Sequence, residues 1–176
     1  MIILVSGGSS SGKSAFAEKL CLEFKSKKLY YIATMEPYGK EAKNRIERHI
    51  KLREGKGFIT IEKFTNIKDI WLPKGSTAIL ESLSTLLANE MFSPKGSGKK
   101  ADVEVLSGIS KLCKTCENTV IVTDNIFEDG VFYLPETMEY IKALGDVNYQ
   151  VASMADEVIN IVASCPVYYK KRWENA

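Results

Sequence analysis

The chain has 176 residues and a formal net charge of +2. That length suits one domain with a substantial core, and a charge so close to balance leaves no electrostatic footprint for nucleic acid. Apolar residues make up 45% and charged residues 26%, which is the mix of a folded globular chain. No apolar run approaches the ~20 residues that span a bilayer. Met1 leads straight into an apolar strand without a secretory pattern, so a cytoplasmic protein with no membrane span is expected.

Residues 2–6 are apolar and β-branched and read as a strand. They run into Gly7-Gly8-Ser9-Ser10-Ser11-Gly12-Lys13-Ser14, a full match to G-x-x-x-x-G-K-[ST]. Residues 15–24 follow with Phe16, Leu20 and Phe24 on one helical face. Strand, loop and helix in that order form a phosphate-binding loop. Glycines let successive backbone N–H groups turn toward one oxyanion, and the helix N-terminus adds its dipole. Lys13 reaches the β- and γ-phosphates, and the Ser14 hydroxyl is placed to ligate Mg²⁺. A bound nucleoside triphosphate is therefore expected along Gly7 to Ser14.

Residues 29–34 read as a second buried strand ending at Thr34. The loop after it, from Met35 and Glu36 through Pro37 and Gly39, lies at a strand's C-terminal end, where open α/β sheets place ligands. Thr34, Met35 and Glu36 are therefore candidate nucleotide contacts. Residues 41–54 read as a charged helix carrying His49, the chain's one histidine. Arg45 and Arg53 lie four residues to either side and share its face. Ile46 and Ile50 lie beside that line. They are placed to anchor the helix, and Ile50 joins the candidate nucleotide contacts. Nearby guanidiniums disfavour a protonated imidazole, and a neutral one can act as a nucleophile. By spacing alone, a solvated basic helix with an idle histidine is the simpler account.

Residues 58–64 alternate like a strand and include Glu62. Residues 65–75 form a connection with a short helical turn. Thr77 to Leu80 is a buried strand ending at Glu81. An acid at such a strand end, beside a phosphate loop, is a candidate magnesium-side carboxylate; an N-terminal acid of the next helix is an equal reading. Glu62, near another strand end, is a candidate contact to the nucleotide's sugar or base. Residues 84–92 and 102–116 read as helices around a Pro/Gly/Lys-rich surface loop. Residues 119–123 form a strand, Pro135 opens a helix reaching about Met154, and 157–162 is the last clear strand. The basic aromatic tail from Tyr168 to Trp173 covers a groove, touches a neighbour or frays. Cys113-Lys114-Thr115-Cys116 has redox or metal spacing, but with a single histidine and no second pair the reading is ordinary reduced thiols. The alternation of strands and helices predicts a single α/β domain with a mainly parallel sheet covered on both faces.

Several of these segments together resemble one family, the bifunctional adenosylcobinamide kinase/adenosylcobinamide-phosphate guanylyltransferases. The resemblance is carried by Gly7-Gly8 with Ser11-Gly12-Lys13-Ser14, by Tyr31-Ile32-Ala33-Thr34, and by Arg45-Ile46-Glu47-Arg48-His49 followed by Arg53, Thr60 and Glu62. Ile79-Leu80-Glu81-Ser82-Leu83 with Asn89, and Ala155-Asp156-Glu157-Val158, extend it over nearly the whole chain. The chain departs from the family's pattern at Ser10, where an arginine is usual, and at Asp124-Asn125-Ile126-Phe127, where an Asn-Glu-Val-Gly run is usual.

The resemblance implies a P-loop NTPase fold of RecA-like type, a homotrimer, Mg²⁺, and GTP and ATP as substrates. It implies a corrinoid acceptor and no nucleic-acid partner. It places the guanylylated histidine at His49. Two other classes remain: a single-activity P-loop small-molecule kinase without a covalent step, and a non-catalytic GTP-binding regulator.

Overall fold

The computed structural model describes residues 1–127, 130, 131 and 133–171. Among them seven strands form one sheet: β1 (Ile2–Gly7), β2 (Leu29–Ala33), β3 (Phe58–Glu62), β4 (Thr77–Glu81), β5 (Asn118–Asp124), β6 (Glu157–Val162) and β7 (Cys165–Lys170). Their spatial order is β3-β2-β4-β5-β1-β6-β7. Every neighbouring pair is parallel except β6 with β7. Five α-helices accompany the sheet: α1 (Lys13–Glu23), α2 (Gly39–Arg53), α3 (Leu83–Phe92), α4 (Ala101–Thr115) and α5 (Pro135–Met154). No helix among the described residues is long and apolar enough to cross a membrane.

The two-residue period of the strands divides the core into two layers. Ile3, Val5, Tyr31, Ile79, Val120, Val122, Ile159 and Ile161 point to one face and pack with Ala17 and Cys21 of α1. Leu4, Tyr30, Ile32, Leu80 and Ile121 point to the other, against Leu83, Leu86, Leu87, Val105, Ile109, Leu144, Val147 and Val151 of α3, α4 and α5. With both faces covered, the central strands become near-continuous apolar runs. All of β4 is buried up to Glu81, and all of β5 up to Asp124. The chain leaves β1 and returns as β2 three places away, and β4 and β5 later fill the gap. The C-terminal ends of β1, β5, β4 and β2 therefore open into one crevice.

The expected elements appear with boundaries shifted by a residue or two, with one correction at the end of the chain. β6 is not the last strand. Ala163 and Ser164, at φ 47° and 65°, turn the chain back into β7. Both turn residues adopt the left-handed conformation that hairpins usually give to Asn or Gly, and Pro166 sits in the returning strand. Neither feature announces a strand in the sequence, and an edge strand is where proline is tolerated. The tail residues up to Lys170 are thus sheet edge, and Trp173 lies outside the described residues. All four cysteines are free, and the described residues hold no metal-binding cluster of three or more His, Cys, Asp or Glu side chains. The loop around Gly96 folds back on α3, where the buried Glu90 carboxylate accepts from Ser97 N (2.9 Å) and Ser97 Oγ (2.6 Å).

Helix α2 buries no residue fully, so apolar packing does not hold it down. Its C-terminal end is fastened to α1 by Lys56, whose Nζ lies 2.7 Å from Glu18 Oε2; the Glu18 side chain is completely buried. Removing one partner of such a pair strands a charge, whereas replacing both with apolar groups restores packing. Lys56→Met should therefore destabilise the fold by about 3 kcal/mol in urea denaturation, and Glu18→Leu combined with Lys56→Met should recover most of that loss.

Candidate active site

The phosphate loop takes its shape from two close approaches. A Cβ on Gly7 would lie 2.8 Å from the Ile161 carbonyl oxygen and 2.5 Å from Ser11 Oγ, so β1 can end against β6 only as glycine. Gly12 has φ 92° and caps α1, a conformation natural to glycine. Ser10, at φ 58°, takes the left-handed conformation without being glycine. The β6–β7 turn braces the loop from outside, with Ser164 N donating to Ser11 O at 3.0 Å. No residue pattern points to that contact, because it depends on the β6–β7 hairpin.

Lys13 is buried, and its ammonium is held between two partners. It donates to Gly8 O at 3.1 Å and lies 2.8 Å from Asp124 Oδ1. Asp124 is at the end of β5, directly beside β1, and its other oxygen accepts from Ser84 Oγ. One strand further, at the end of β4, Glu81 Oε1 accepts from Ser14 Oγ at 2.9 Å. Glu81 is half-buried, but its Oε2 is enclosed and is among the buried polar atoms without a hydrogen-bond partner. Burial raises its pKa to about 7, against the lowering effects of the Ser14 hydrogen bond and Lys13, while Asp124 adds to the rise. An orphaned carboxylate oxygen beside a serine hydroxyl is a donor set that fits Mg²⁺. That ion is typically held by one or two protein oxygens, with phosphate and water completing its shell.

A cavity of about 330 Å³ opens from this loop across the α1 face of the sheet. Ser9 to Ser14, Met35, Arg45, His49, Arg53, Glu62 and Glu81 all line it. The loop, the helix and both strand-end acids expected from the sequence thus meet in one place. His49 Nδ1 is 3.3 Å from the Tyr31 hydroxyl. Arg53 stacks over the Tyr31 ring at 4.2 Å and donates from Nε to Thr60 Oγ1 at 3.1 Å. His49's pKa is lowered to about 4, first by burial and then by Arg48, Arg45, Arg53 and Lys13. The expectation of a neutral imidazole stands, with burial as its larger cause.

Three residues expected at the nucleotide stand elsewhere. Ile50 is exposed and does not line the cavity, whereas Ile46 does; the helix turns Ile50 outward. Glu36 also does not line it. Thr34 is completely buried, and its hydroxyl is engaged with the β4–α3 corner, accepting from Ser82 N at 2.8 Å and donating to the Glu81 or Ser82 carbonyl. Thr34 shapes the strand end that carries Glu81. Conversely, Asp124 and Tyr31 line the cavity without having been singled out as site residues. The signal for Asp124 was the one used for Glu81, an acid ending a buried strand, but its value depends on β5 lying next to β1.

The family described as CobU, cobinamide kinase / cobinamide phosphate guanyltransferase, matches residues 3–168. The bifunctional adenosylcobalamin biosynthesis protein CobU of Escherichia coli is 30% identical over 190 residues, spanning 97% of this chain and 100% of that protein. Its namesake from Salmonella typhimurium is 27% identical over 186 residues, with the same two coverages. Two solved structures share the fold alone. One is an ATPase domain (TM-score 0.52, 9% identity, 97% of this chain and 77% of that one). The other is a Pyrococcus horikoshii OT3 protein (TM-score 0.55, 10% identity, 98% and 87%). With the family's match running from the first strand to β7, over a P-loop sheet of the required kind, this chain belongs to the cobinamide kinase / cobinamide phosphate guanyltransferase family.

Proposed function

We propose that the protein phosphorylates adenosylcobinamide and then transfers GMP from GTP to the resulting phosphate, through a guanylyl group carried on His49. The observation that supports this best is the placing of a neutral, half-buried imidazole in the same cavity as a complete phosphate loop. A simple kinase has no use for it.

In the first reaction the acceptor's hydroxyl oxygen bonds to the γ-phosphorus of ATP or GTP as the bond to the β–γ bridging oxygen breaks, and a nucleoside diphosphate leaves. Lys13 turns from Asp124 to the β- and γ-phosphates. That releases Asp124 Oδ1 at the γ end, where it takes the hydroxyl proton. Ser14 and Glu81 would hold Mg²⁺, which when bound neutralises charge developing on the phosphate oxygens. Arg45 and Arg53 line the cavity around His49 and suit the remaining phosphate oxygens.

In the second reaction an imidazole nitrogen bonds to the α-phosphorus of GTP, the bond to the α–β bridging oxygen breaks, and pyrophosphate leaves. The acceptor's phosphate oxygen then displaces the histidine. Tyr31 decides which nitrogen attacks. Burial, with Glu81 adding, pushes its pKa well above the ordinary 10, so it stays a neutral phenol. The proposed tautomer has Nδ1–H donating to that oxygen, which leaves the lone pair on Nε2 as the nucleophile. The His49–Tyr31 contact is in this respect the orienting bond of a nucleophile pair.

Three outcomes follow. Incubated with Mg²⁺ and GTP, the protein should keep label from the α-phosphate and none from the γ-phosphate, in an acid-labile, base-stable bond. His49→Asn should keep no label, and Lys13→Ala should lose both reactions. The imidazole resonances of this chain's one histidine should titrate in NMR with a midpoint near 4, because a lowered pKa leaves the ring neutral at every pH above that midpoint. A midpoint near the ordinary 6.5 of a free imidazole would put the ring in water. Tyr31→Phe should slow labelling by about ten- to a hundredfold, the usual cost of removing an orienting partner, with nucleotide affinity unchanged.

A further inference from the structure

The sheet has a second cavity at the other side of the phosphate loop. It is about 530 Å³ and is lined by Ser9, Asn125, Ile126, Tyr133, Thr137, Tyr140 and Ile141. Ser9 lines both cavities. The second lies toward the α5 layer: Tyr140 packs with the core on that face, and its hydroxyl donates to Ser84 O at 3.0 Å. His49 and Tyr31 belong to the opposite, α1 face. Nothing in the guanylyl-transfer chemistry uses the α5 side.

Lys13 indicates which end of the triphosphate meets which cavity. In a phosphate loop that ammonium reaches the β- and γ-phosphates. Here it is bonded to Gly8 O and to Asp124. The next residue along each of those segments, Ser9 and Asn125, lines the second cavity. Lys13 and Asp124 themselves line the His49 cavity, so the γ end of the triphosphate lies where the two cavities meet at Ser9. The second cavity has the lining of a small-molecule site, apolar and aromatic walls with a few polar groups from Ser9, Asn125 and Thr137. Asp124 joins the two sides. It pairs with Lys13 and accepts from Ser84, whose carbonyl holds Tyr140.

We infer that this cavity receives the hydroxyl-bearing arm of the phosphoryl acceptor, so that the two reactions approach the one phosphate loop from opposite faces of the sheet, each consuming its own triphosphate, the γ-phosphorus being attacked from the α5 side and the α-phosphorus from the His49 side. This assignment rests on the kinase activity proposed above. The walls hold the amide-linked arm of the corrinoid, Asn125 and Thr137 bond to its polar groups, and its hydroxyl meets the γ-phosphorus beside Ser9.

The test is steady-state phosphorylation of adenosylcobinamide by ATP in the full chain. Thr137→Trp fills the cavity from α5, and Ile141→Ala widens it. Thr137→Trp should raise KM for adenosylcobinamide at least about tenfold, and Ile141→Ala severalfold, with KM for ATP within about twofold of wild type. If both variants phosphorylate adenosylcobinamide with an unchanged KM, the acceptor binds elsewhere and the inference falls while the kinase stands. If KM for ATP rises in step, the cavity serves the loop and the inference likewise falls. If the wild-type chain does not phosphorylate adenosylcobinamide at all, the functional reading falls and takes the inference with it.

Discussion

A buried ammonium has to be paired, and the pairing of Lys13 organises this molecule. Lys13 is at the N-terminus of α1, where helix dipole and charge act in the same direction on an anion. Its partners come from the ends of two adjacent strands: Gly8 follows β1, and Asp124 ends β5. For the three to meet, β5 must insert beside β1 although more than a hundred residues separate them. The sheet order accomplishes this, and in doing so brings the end of β4, with Glu81, within 2.9 Å of Ser14. Fold and site are thus one constraint: the parallel register that satisfies the strands also assembles the phosphate-binding charges.

The two faces of the sheet are not equivalent around that centre. On the α1 side, α2 lies over the cavity without burying a residue of its own and is held by polar and cationic contacts, Lys56 to Glu18, Arg53 over Tyr31 and His49 beside the Tyr31 hydroxyl. On the α5 side, α3, α4 and α5 bury a large apolar layer. A cation-rich, lightly packed face suits an exchange of phosphoryl-linked groups. A well-packed apolar face with aromatic walls suits an organic acceptor.

Much of this was legible in the residues. The loop from Gly7 to Ser14 carries its own structural context, and the runs 77–80 and 119–123 read as strands from their apolar, β-branched residues. His49 became a candidate nucleophile only through the family resemblance, because helical spacing shows which residues share a face and not what that face meets. The part that could not be read depends on pairing between distant segments. Asp124 matters because β5 adjoins β1, Tyr31 because its ring passes under α2, and Thr34 because it secures the corner after Glu81. The β6–β7 hairpin was hidden for a local reason: Ala163-Ser164 adopts a turn conformation that its residue types do not advertise. Ile50 was misplaced because its neighbour Ile46 takes the inward position one turn earlier.

The central claim is that one phosphate loop serves both reactions. The most direct measurement is the stoichiometry and competition of nucleotide binding by equilibrium dialysis, with ATP and GTP, each as a non-hydrolysable analogue, presented separately and together. The account predicts one nucleotide per chain in every case, mutual displacement of the two, and loss of both on Lys13→Ala. Two nucleotides bound at once to one chain, or ATP binding that survives Lys13→Ala, would contradict it.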